Sequence, residues 1–202
     1  IAEMEANNNK IILDLCGGTG AWSLPYKDAG YDVRLITLPM FDVTDPYNIE
    51  QCIALKPYGI LAAPPCTMFS RARTTASTPR DFKGAMEVVS ACLRIIWEAQ
   101  YENRFGLKFW ALENPAGHLR RFLGNPVMKF QPYEFCDPYS KQTWLWGMFR
   151  EPKKKPIKLT KQQIMQSRVN TRPLPKITGL SVAARRAITP EGFAKAFFNS
   201  NK

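Results

Sequence analysis

Apolar residues in this chain fall into short runs, and the segments between the runs are rich in polar residues, glycine and proline. The runs at 10–15, 32–38, 59–63 and 108–112 have the length and composition of buried strands. Apolar residues at helical spacing over 84–101 predict the longest helix of the chain. Strands that alternate with helices favour an α/β fold, with a mostly parallel central sheet flanked by helices.

Shorter helices are predicted around this frame. The turn after the first strand leads into a helix that ends near Ala29, and 46–56 form another short helix. The last helix is predicted over 189–199, with Thr189 as its N-cap and a proline at its first position. Phenylalanines at helical spacing give that last helix an apolar face, which must dock on the rest of the domain.

Three segments show no regular pattern. The polar residues 1–9 predict a disordered start. The basic and polar stretch 71–83 is typical of a mobile loop that folds over a substrate. Lysines and prolines dominate 150–178, which predicts a basic connection over the surface.

The length and composition of the chain suit one globular domain over 1–202. At 202 residues it can bury a sizeable core, and its hydrophobic share of 45% is ordinary for a soluble protein. No apolar run approaches about 18 residues, and no basic-then-apolar leader opens the chain. We therefore expect neither a membrane span nor a signal peptide.

Cysteine and histidine usage restricts the possible sites. The five cysteines are scattered without a C-x-x-C pair, and His118 is the one histidine. This pattern argues against a disulfide framework and against a metal centre, so no metal is expected. It also favours a reducing compartment, and we expect a cytoplasmic protein. The cysteines are Cys16, Cys52, Cys66, Cys92 and Cys136.

The net charge of +11, from 28 basic and 17 acidic residues, predicts a polyanionic partner. Basic side chains release counterions when they bind a phosphate backbone, so binding to such a partner should weaken steeply with salt. The basic residues cluster after Cys66 and again near 153–161. The candidate nucleic-acid contacts are Ser70, Arg71, Arg73, Arg80, Lys83, Lys153, Lys154 and Lys155.

The first strand is followed by the turn Cys16-Gly17-Gly18-Thr19-Gly20. Glycines at a strand-to-helix turn let backbone amides approach a ligand closely, which indicates a nucleotide-like cofactor. An acidic residue usually ends the second strand of such sites and holds ribose hydroxyls. Here Thr37-Leu38 stand at that position. Asp42 follows, and it either accepts from an adenine amino group or caps a turn.

Cys66 lies in a loop after a buried strand, and Glu113 ends another buried strand 47 positions later. One strand–helix–strand unit separates them, so their side chains can lie close together. A carboxylate at the end of an apolar strand is costly to desolvate unless it is paired, protonated or functional. A thiolate beside a carboxylic acid suits covalent attack on an electron-poor ring: the thiol adds and the acid protonates a ring nitrogen.

Several motifs, in this order, resemble those of the DNA cytosine-5 methyltransferases, which have a Rossmann-like class I methyltransferase fold. They cover residues 10–147, and the compact form is similar to enzymes of phage or prophage type, which act in a bacterial or phage-infected cell. The motifs are Asp14-Leu15-Cys16-Gly17-Gly18-Thr19-Gly20, Asp42-Val43-Thr44, Pro64-Pro65-Cys66 with Phe69-Ser70, Glu113-Asn114-Pro115 and Pro138-Tyr139-Ser140-Lys141.

The resemblance implies methyl transfer from S-adenosylmethionine to C5 of a cytosine in DNA. Cys66 would attack C6 of a flipped cytosine, Glu113 would act on N3, and Asn114 would position the glutamate loop. Lys141 is the cation that remains where the family has a glutamine–arginine pattern. The implied cofactor-binding residues are Asp14, Cys16, Gly17, Gly18, Thr19, Gly20, Trp22, Thr37, Leu38, Asp42 and Pro64.

The chain departs from the family in lacking room for the usual target-recognition domain and in carrying Cys16 where an aromatic residue packs on adenine. Readout of the DNA sequence would have to come from 71–83 and 150–178, or from a partner. Two alternatives stay open. The same chemistry can modify a free pyrimidine nucleotide or transfer a variant alkyl group, and a relative without activity can bind DNA. The oligomeric state is not predicted.

Overall fold

The computed structural model describes residues 6–71, 73–74, 76–168 and 179–202. In these residues one sheet contains the strands β1 (Ile11–Leu15), β2 (Asp32–Ile36), β3 (Gly59–Ala62), β4 (Phe109–Pro115), β5 (Met128–Phe130) and β6 (Thr143–Met148). The helices are α1 (Leu24–Asp28), α2 (Pro46–Ala54), α3 (Phe82–Glu102), α4 (Arg120–Leu123), α5 (Lys161–Arg168), α6 (Val182–Ala187) and α7 (Glu191–Ser200), and a 3-10 turn spans Pro132–Glu134.

The strand order is β2-β1-β3-β4-β6-β5. The first four strands pair in parallel, and β6 runs antiparallel to both β4 and β5. This confirms the predicted Rossmann-like α/β architecture with a mostly parallel sheet. Leu15 is level with Ile36 and Ala62, and Ala62 is level with Leu112. The carboxyl ends of the four parallel strands therefore meet at one edge of the sheet.

Helices cover both faces of the sheet, as the apolar runs predict. On one face, α2 and α3 pack on residues such as Leu13 and Ile60. On the other face, α1 and α7 pack on residues such as Ile12 and Leu61. Because neighbouring residues of a strand point to opposite faces, continuous apolar runs are what a sheet covered on both sides requires.

The helix predicted over 84–101 is α3, which begins two residues earlier. Its N-cap is Asp81, whose carboxylate accepts from the Gly84 amide at 2.9 Å. Such a bond satisfies one of the amides that lack an intrahelical partner at a helix start. The prediction of 71–83 as a loop therefore holds only up to Asp81.

The predicted cap of the last helix is wrong. Pro190, not Thr189, is the N-cap of α7. The amides of Gly192 and Phe193 donate to the carboxylate of Asp137, both at 3.3 Å. A carboxylate from a distant loop thus replaces the local cap that the sequence predicts.

Three further predictions change in detail. β2 ends at Ile36, so Thr37 and Leu38 belong to the loop that follows. The disordered start does not reach Asn7, whose side-chain amide donates to the Ala29 carbonyl at 3.0 Å, and residues 1–5 lie outside the described part. The predicted connection 150–178 contains the helix α5. Its residues 169–178 lie outside the part of the chain that the structure describes.

None of the helices in the described ranges combines the length and apolar character needed to cross a lipid bilayer.

Candidate active site

The glycine turn, the Cys66 loop and the Glu113 strand end meet at the carboxyl edge of β1, β3 and β4. These strands are neighbours in the sheet, and their ends are level. Ligand sites of open α/β sheets lie at this edge. The parallel topology therefore brings together residues that are up to 99 positions apart, as between Asp14 and Glu113.

The turn after β1 has the backbone of a ligand cradle. Cys16, Gly18 and Gly20 have φ of 57°, 58° and 75°, in the left-handed region that favours glycine. The Gly18 amide donates to the Thr37 hydroxyl at 3.3 Å, which ties the turn to the end of β2. At Gly17 a Cβ atom would lie 2.3 Å from the Asp14 carboxylate, so only glycine fits.

Asp14 is a fully buried carboxylate beneath this turn. One oxygen accepts from the Ser23 hydroxyl, and the other has no partner among the described residues. Burial, opposed by the bonds with Ser23, raises the pKa of Asp14 to about 6. A buried carboxylate with an unused oxygen is an uncommon feature that needs a functional or structural reason.

The Cys66 loop is held by short-range bonds and by β4. The amides of Phe69 and Ser70 donate to the Cys66 carbonyl at 2.9 and 2.8 Å. The buried Asn114 donates to the Pro64 carbonyl at 3.0 Å, which joins the acid strand to the thiol loop. Its own side-chain oxygen has no partner in the described part of the chain. Asn114 thus fixes one loop against the other.

Ser70 also pairs with Gly117 in an isolated antiparallel bridge. At Gly117 a Cβ atom would lie 2.2 Å from the Phe69 carbonyl oxygen, so the close approach of the two loops depends on this glycine. The segments after Cys66 and after Glu113 therefore form one rim.

One cavity of about 90 Å³ joins the glycine turn to the thiol and the acid. Of the residues predicted for the site, it is lined by Asp14, Cys16, Gly17, Gly18, Thr19, Trp22, Pro64, Cys66, Glu113 and Lys141. Gly20, Thr37, Leu38, Asp42 and Asn114 lie outside this lining. Asp42 accepts from the amide and the hydroxyl of Thr44, which is the turn-capping alternative.

The charges at the cavity affect one another. Burial raises the pKa of the Cys66 thiol, the Glu113 carboxylate raises it further, and the Lys141 ammonium lowers it. Burial also raises the pKa of Glu113, and Lys141 opposes that shift. Burial therefore favours the uncharged form of both groups, and the Lys141 cation opposes this effect at both.

The sequence does not predict the segment that covers the cavity. Ala184, Ala187, Ile188 and Thr189 belong to the lining, and the Lys141 ammonium donates to the Arg186 carbonyl at 3.3 Å. No signal in the sequence links this segment to residues more than 40 positions earlier. It separates the small cavity from a groove of about 920 Å³ between α1 and α7, which shares Thr19, Ile188 and Thr189 with it.

The basic residues after Cys66 are partly used within their own loop. The Arg80 guanidinium donates to the carbonyls of Met68 and Ser70 at 2.6 and 3.0 Å. Arg73 donates to the Thr78 hydroxyl at 2.8 Å. Lys83 is exposed in the first turn of α3. These bonds shape the loop, and contact of its cations with DNA stays a prediction.

The second predicted basic group lies on an exposed strand-like segment. Lys155 pairs with Phe135 in a parallel bridge, and the Lys154 ammonium forms an ion pair with Glu134 at 3.0 Å. Lys153 is exposed. These lysines stay candidates for contacts with a polyanion.

No protein-family model and no curated protein matches this chain. Among solved structures, it is similar to the Dnmt2 methyltransferase of S. pombe, at 17% sequence identity and a TM-score of 0.44. The match covers 68% of this chain and 50% of that chain. The chain thus spans about half the length of that protein.

Proposed function

We propose that this chain transfers the methyl group of S-adenosylmethionine to C5 of cytosine in DNA, through a covalent bond between Cys66 and C6. The observation that carries the proposal is the shared cavity of Cys66, Glu113, Lys141 and the glycine turn. The motif resemblance gives the same residues the same roles. A structural cysteine has no need of a buried acid, a cation and a ligand cradle beside it.

The residues at the glycine turn fit a bound S-adenosylmethionine. The open backbone at Gly18 and Gly20 and the unpartnered oxygen of Asp14 are what a polar ligand would use. Leu38 and Phe41, exposed beyond β2, offer an apolar surface to an adenine ring. When bound, the sulfonium group supplies an electrophilic methyl. Thr37 follows β2 at the position where an acid usually binds the ribose. The ribose hydroxyls would therefore face the Thr37 hydroxyl instead of a carboxylate.

The protonation states of the pair suit the first step. Burial raises the pKa of Glu113 and so favours its protonated form, which can give a proton to N3 of the pyrimidine. The loss of its negative charge also removes one cause of the raised pKa of Cys66. As the sulfur bonds to C6, the C5–C6 π electrons move toward N3, which takes the proton from Glu113. C5 then has enamine character and can take the methyl group. Loss of the C5 proton to water, with return of the N3 proton to Glu113, then expels the Cys66 thiolate.

Lys141 and Asn114 assist without forming bonds to the carbon atoms that react. The Lys141 ammonium stabilises the thiolate before attack, since it lowers the pKa of Cys66. Asn114 holds the Pro64 carbonyl and so keeps the thiol loop against β4. Preorganisation of this kind keeps the reacting groups within reach of the same ring.

The segment 184–189 has to move before a base and a cofactor can enter. A cavity of about 90 Å³ is small beside the roughly 300 to 1,000 Å³ of typical ligand pockets. The segment is held over it by the bond from Lys141 to the Arg186 carbonyl. Opening of this segment would release Lys141 toward the incoming substrate.

The decisive experiment is nucleoside mass spectrometry of DNA incubated with the protein and S-adenosylmethionine. We expect 5-methylcytosine with the wild-type chain and none with Cys66→Ala, which should also fail to be trapped by 5-fluorocytosine DNA. Cys136→Ala is the matched control, because Cys136 is exposed and lies outside the cavity lining. Turnover retained in Cys66→Ala would refute the covalent mechanism. A different added group would favour a variant alkyl donor.

A further inference from the structure

Three cationic side chains from separate elements converge on the ring of Trp144. The Arg71 and Arg120 guanidinium carbons lie 5.9 and 6.0 Å from the ring centroid, and the Lys129 ammonium lies 5.4 Å from it. Each of these atoms lies within 6.0 Å of the same ring centroid, so any two of them are at most about 12 Å apart. Trp144 is buried, at 3% exposure, so it provides a rigid base for the cations.

Within the described residues, no ion pair with an acid neutralises this cluster. Arg71, Arg120 and Lys129 are exposed, and none forms an ion pair in the part of the chain that the structure describes. Like charges within about 12 Å of one another repel, and the repulsion is relieved when an anion binds beside them. Arginine forks match the geometry of phosphate oxygens, and a lysine adds a point charge.

The cluster belongs to the rim of the proposed active site. Arg71 follows Ser70, which bonds to the Cys66 carbonyl and pairs with Gly117. Arg120 begins α4, directly after that rim. Lys129 is held on β5 opposite Trp144 by strand register. Three independent parts of the chain thus place cations beside the loop that carries the thiol.

The surroundings of His118 show the positive field of the same rim. Desolvation lowers the pKa of His118, and the charges of Arg80, Arg121 and Arg71 lower it further. The excess of basic residues on this rim is therefore concentrated rather than spread over the surface.

We propose that Arg71, Arg120 and Lys129 together bind a phosphodiester group of the DNA strand that carries the target cytosine. This inference rests on the proposed function for its ligand, and it adds Arg120 and Lys129, which the sequence motifs do not mark. A phosphate next to the flipped nucleotide would hold the strand while its base enters the cavity. The phosphate of a free nucleotide has the same chemistry, and the test separates the two.

The test measures binding of a labelled DNA duplex of about 20 base pairs by fluorescence anisotropy, over salt from about 50 to 200 mM. We compare the full chain with the double variant Arg120→Gln/Lys129→Gln. The control double variant is Lys56→Gln/Arg104→Gln, which removes the same charge from exposed residues ahead of β3 and β4, at the opposite edge of the sheet. Thermal unfolding of each variant checks that it is folded.

We expect the Arg120/Lys129 double variant to bind roughly tenfold or more weakly at about 100 mM salt. The magnitude of its log–log salt slope should fall by about 0.9, since the three cations share one phosphate and a lost phosphate contact removes about 0.9. The control should keep both values near those of the wild type. Equal losses in the two double variants would overturn the inference, because net charge alone would explain them.

Deoxycytidine monophosphate distinguishes the source of the phosphate. If the wild type binds this nucleotide but not the duplex, and the double variant loses that binding, a phosphodiester is the wrong ligand. If neither ligand binds, the inference fails outright. Mass spectrometry on the same proteins separates this failure from that of the proposed function: loss of duplex affinity without any methyl transfer by the wild type supports the cluster and rejects the reaction.

Discussion

The buried charge of Asp14 lowers the free energy of unfolding, and a substitution at this position tests this directly. Its carboxylate is fully buried, and its pKa rises from an ordinary value of 3.8 to about 6. A difference of that size corresponds to about 3 kcal/mol between its charged and neutral forms. Asparagine has nearly the same shape and can still accept from Ser23. Asp14→Asn therefore removes the cost of the buried charge and little else.

The sign of the effect follows from proton linkage. An acid whose pKa is raised on folding destabilises the folded state as it ionises. For Asp14 this cost is absent below about pH 4, grows between pH 4 and 6, and is complete above pH 6. The free energy of unfolding of Asp14→Asn, relative to that of the wild type, should thus rise by about 3 kcal/mol from pH 3 to pH 8.

The assay is urea unfolding of both proteins at several pH values, followed by circular dichroism. Asp42→Asn serves as the control, because hydrogen bonds from Thr44 lower the pKa of Asp42. Its contribution stabilises the protein above the unfolded pKa and is lost as the pH falls, so this variant should lose relative stability toward pH 8. Parallel stability curves for the wild type and Asp14→Asn would refute the reasoning on Asp14.

Further predictions concern the thiol, the acid and the long-range cap. Glu113→Gln should slow methyl transfer by about 10²- to 10⁴-fold, the usual contribution of a general acid, in the mass-spectrometric assay. Glu113→Gln should also let iodoacetamide alkylate Cys66 at lower pH, whereas Lys141→Gln should shift the pH profile of alkylation to higher pH. The reason is that the two charges change the pKa of the thiol in opposite directions. Shifts of both variants in the same direction would contradict the assignment. Asp137→Ala should lower the free energy of unfolding by about 0.5–2 kcal/mol through loss of the α7 cap, measured by urea unfolding, and an unchanged midpoint would contradict it.

The main elements and the centre of the candidate site can be predicted from the sequence alone. Continuous apolar runs identify β1, β3 and β4, since strands covered on both faces leave no polar side. Cys66 and Glu113 each follow such a run, and parallel strands end at the same edge of a sheet. The order of the motifs along the chain therefore predicts that Cys66 and Glu113 lie close together. The glycines of the first turn likewise indicate a left-handed backbone, which glycine adopts more readily than other residues.

The tertiary structure decides the parts that depend on contacts between distant segments. The segment 184–189 lies over the cavity, Asp137 caps α7, and Arg120 and Lys129 meet Arg71 at Trp144. None of these contacts is indicated by a periodic or local pattern in the sequence. The pattern around an exposed arginine or alanine is the same wherever its helix packs. Local patterns report which faces are buried and where the chain turns. Which residues meet across those faces is determined by how the helices and the antiparallel β6 pack, and that depends on the whole chain at once.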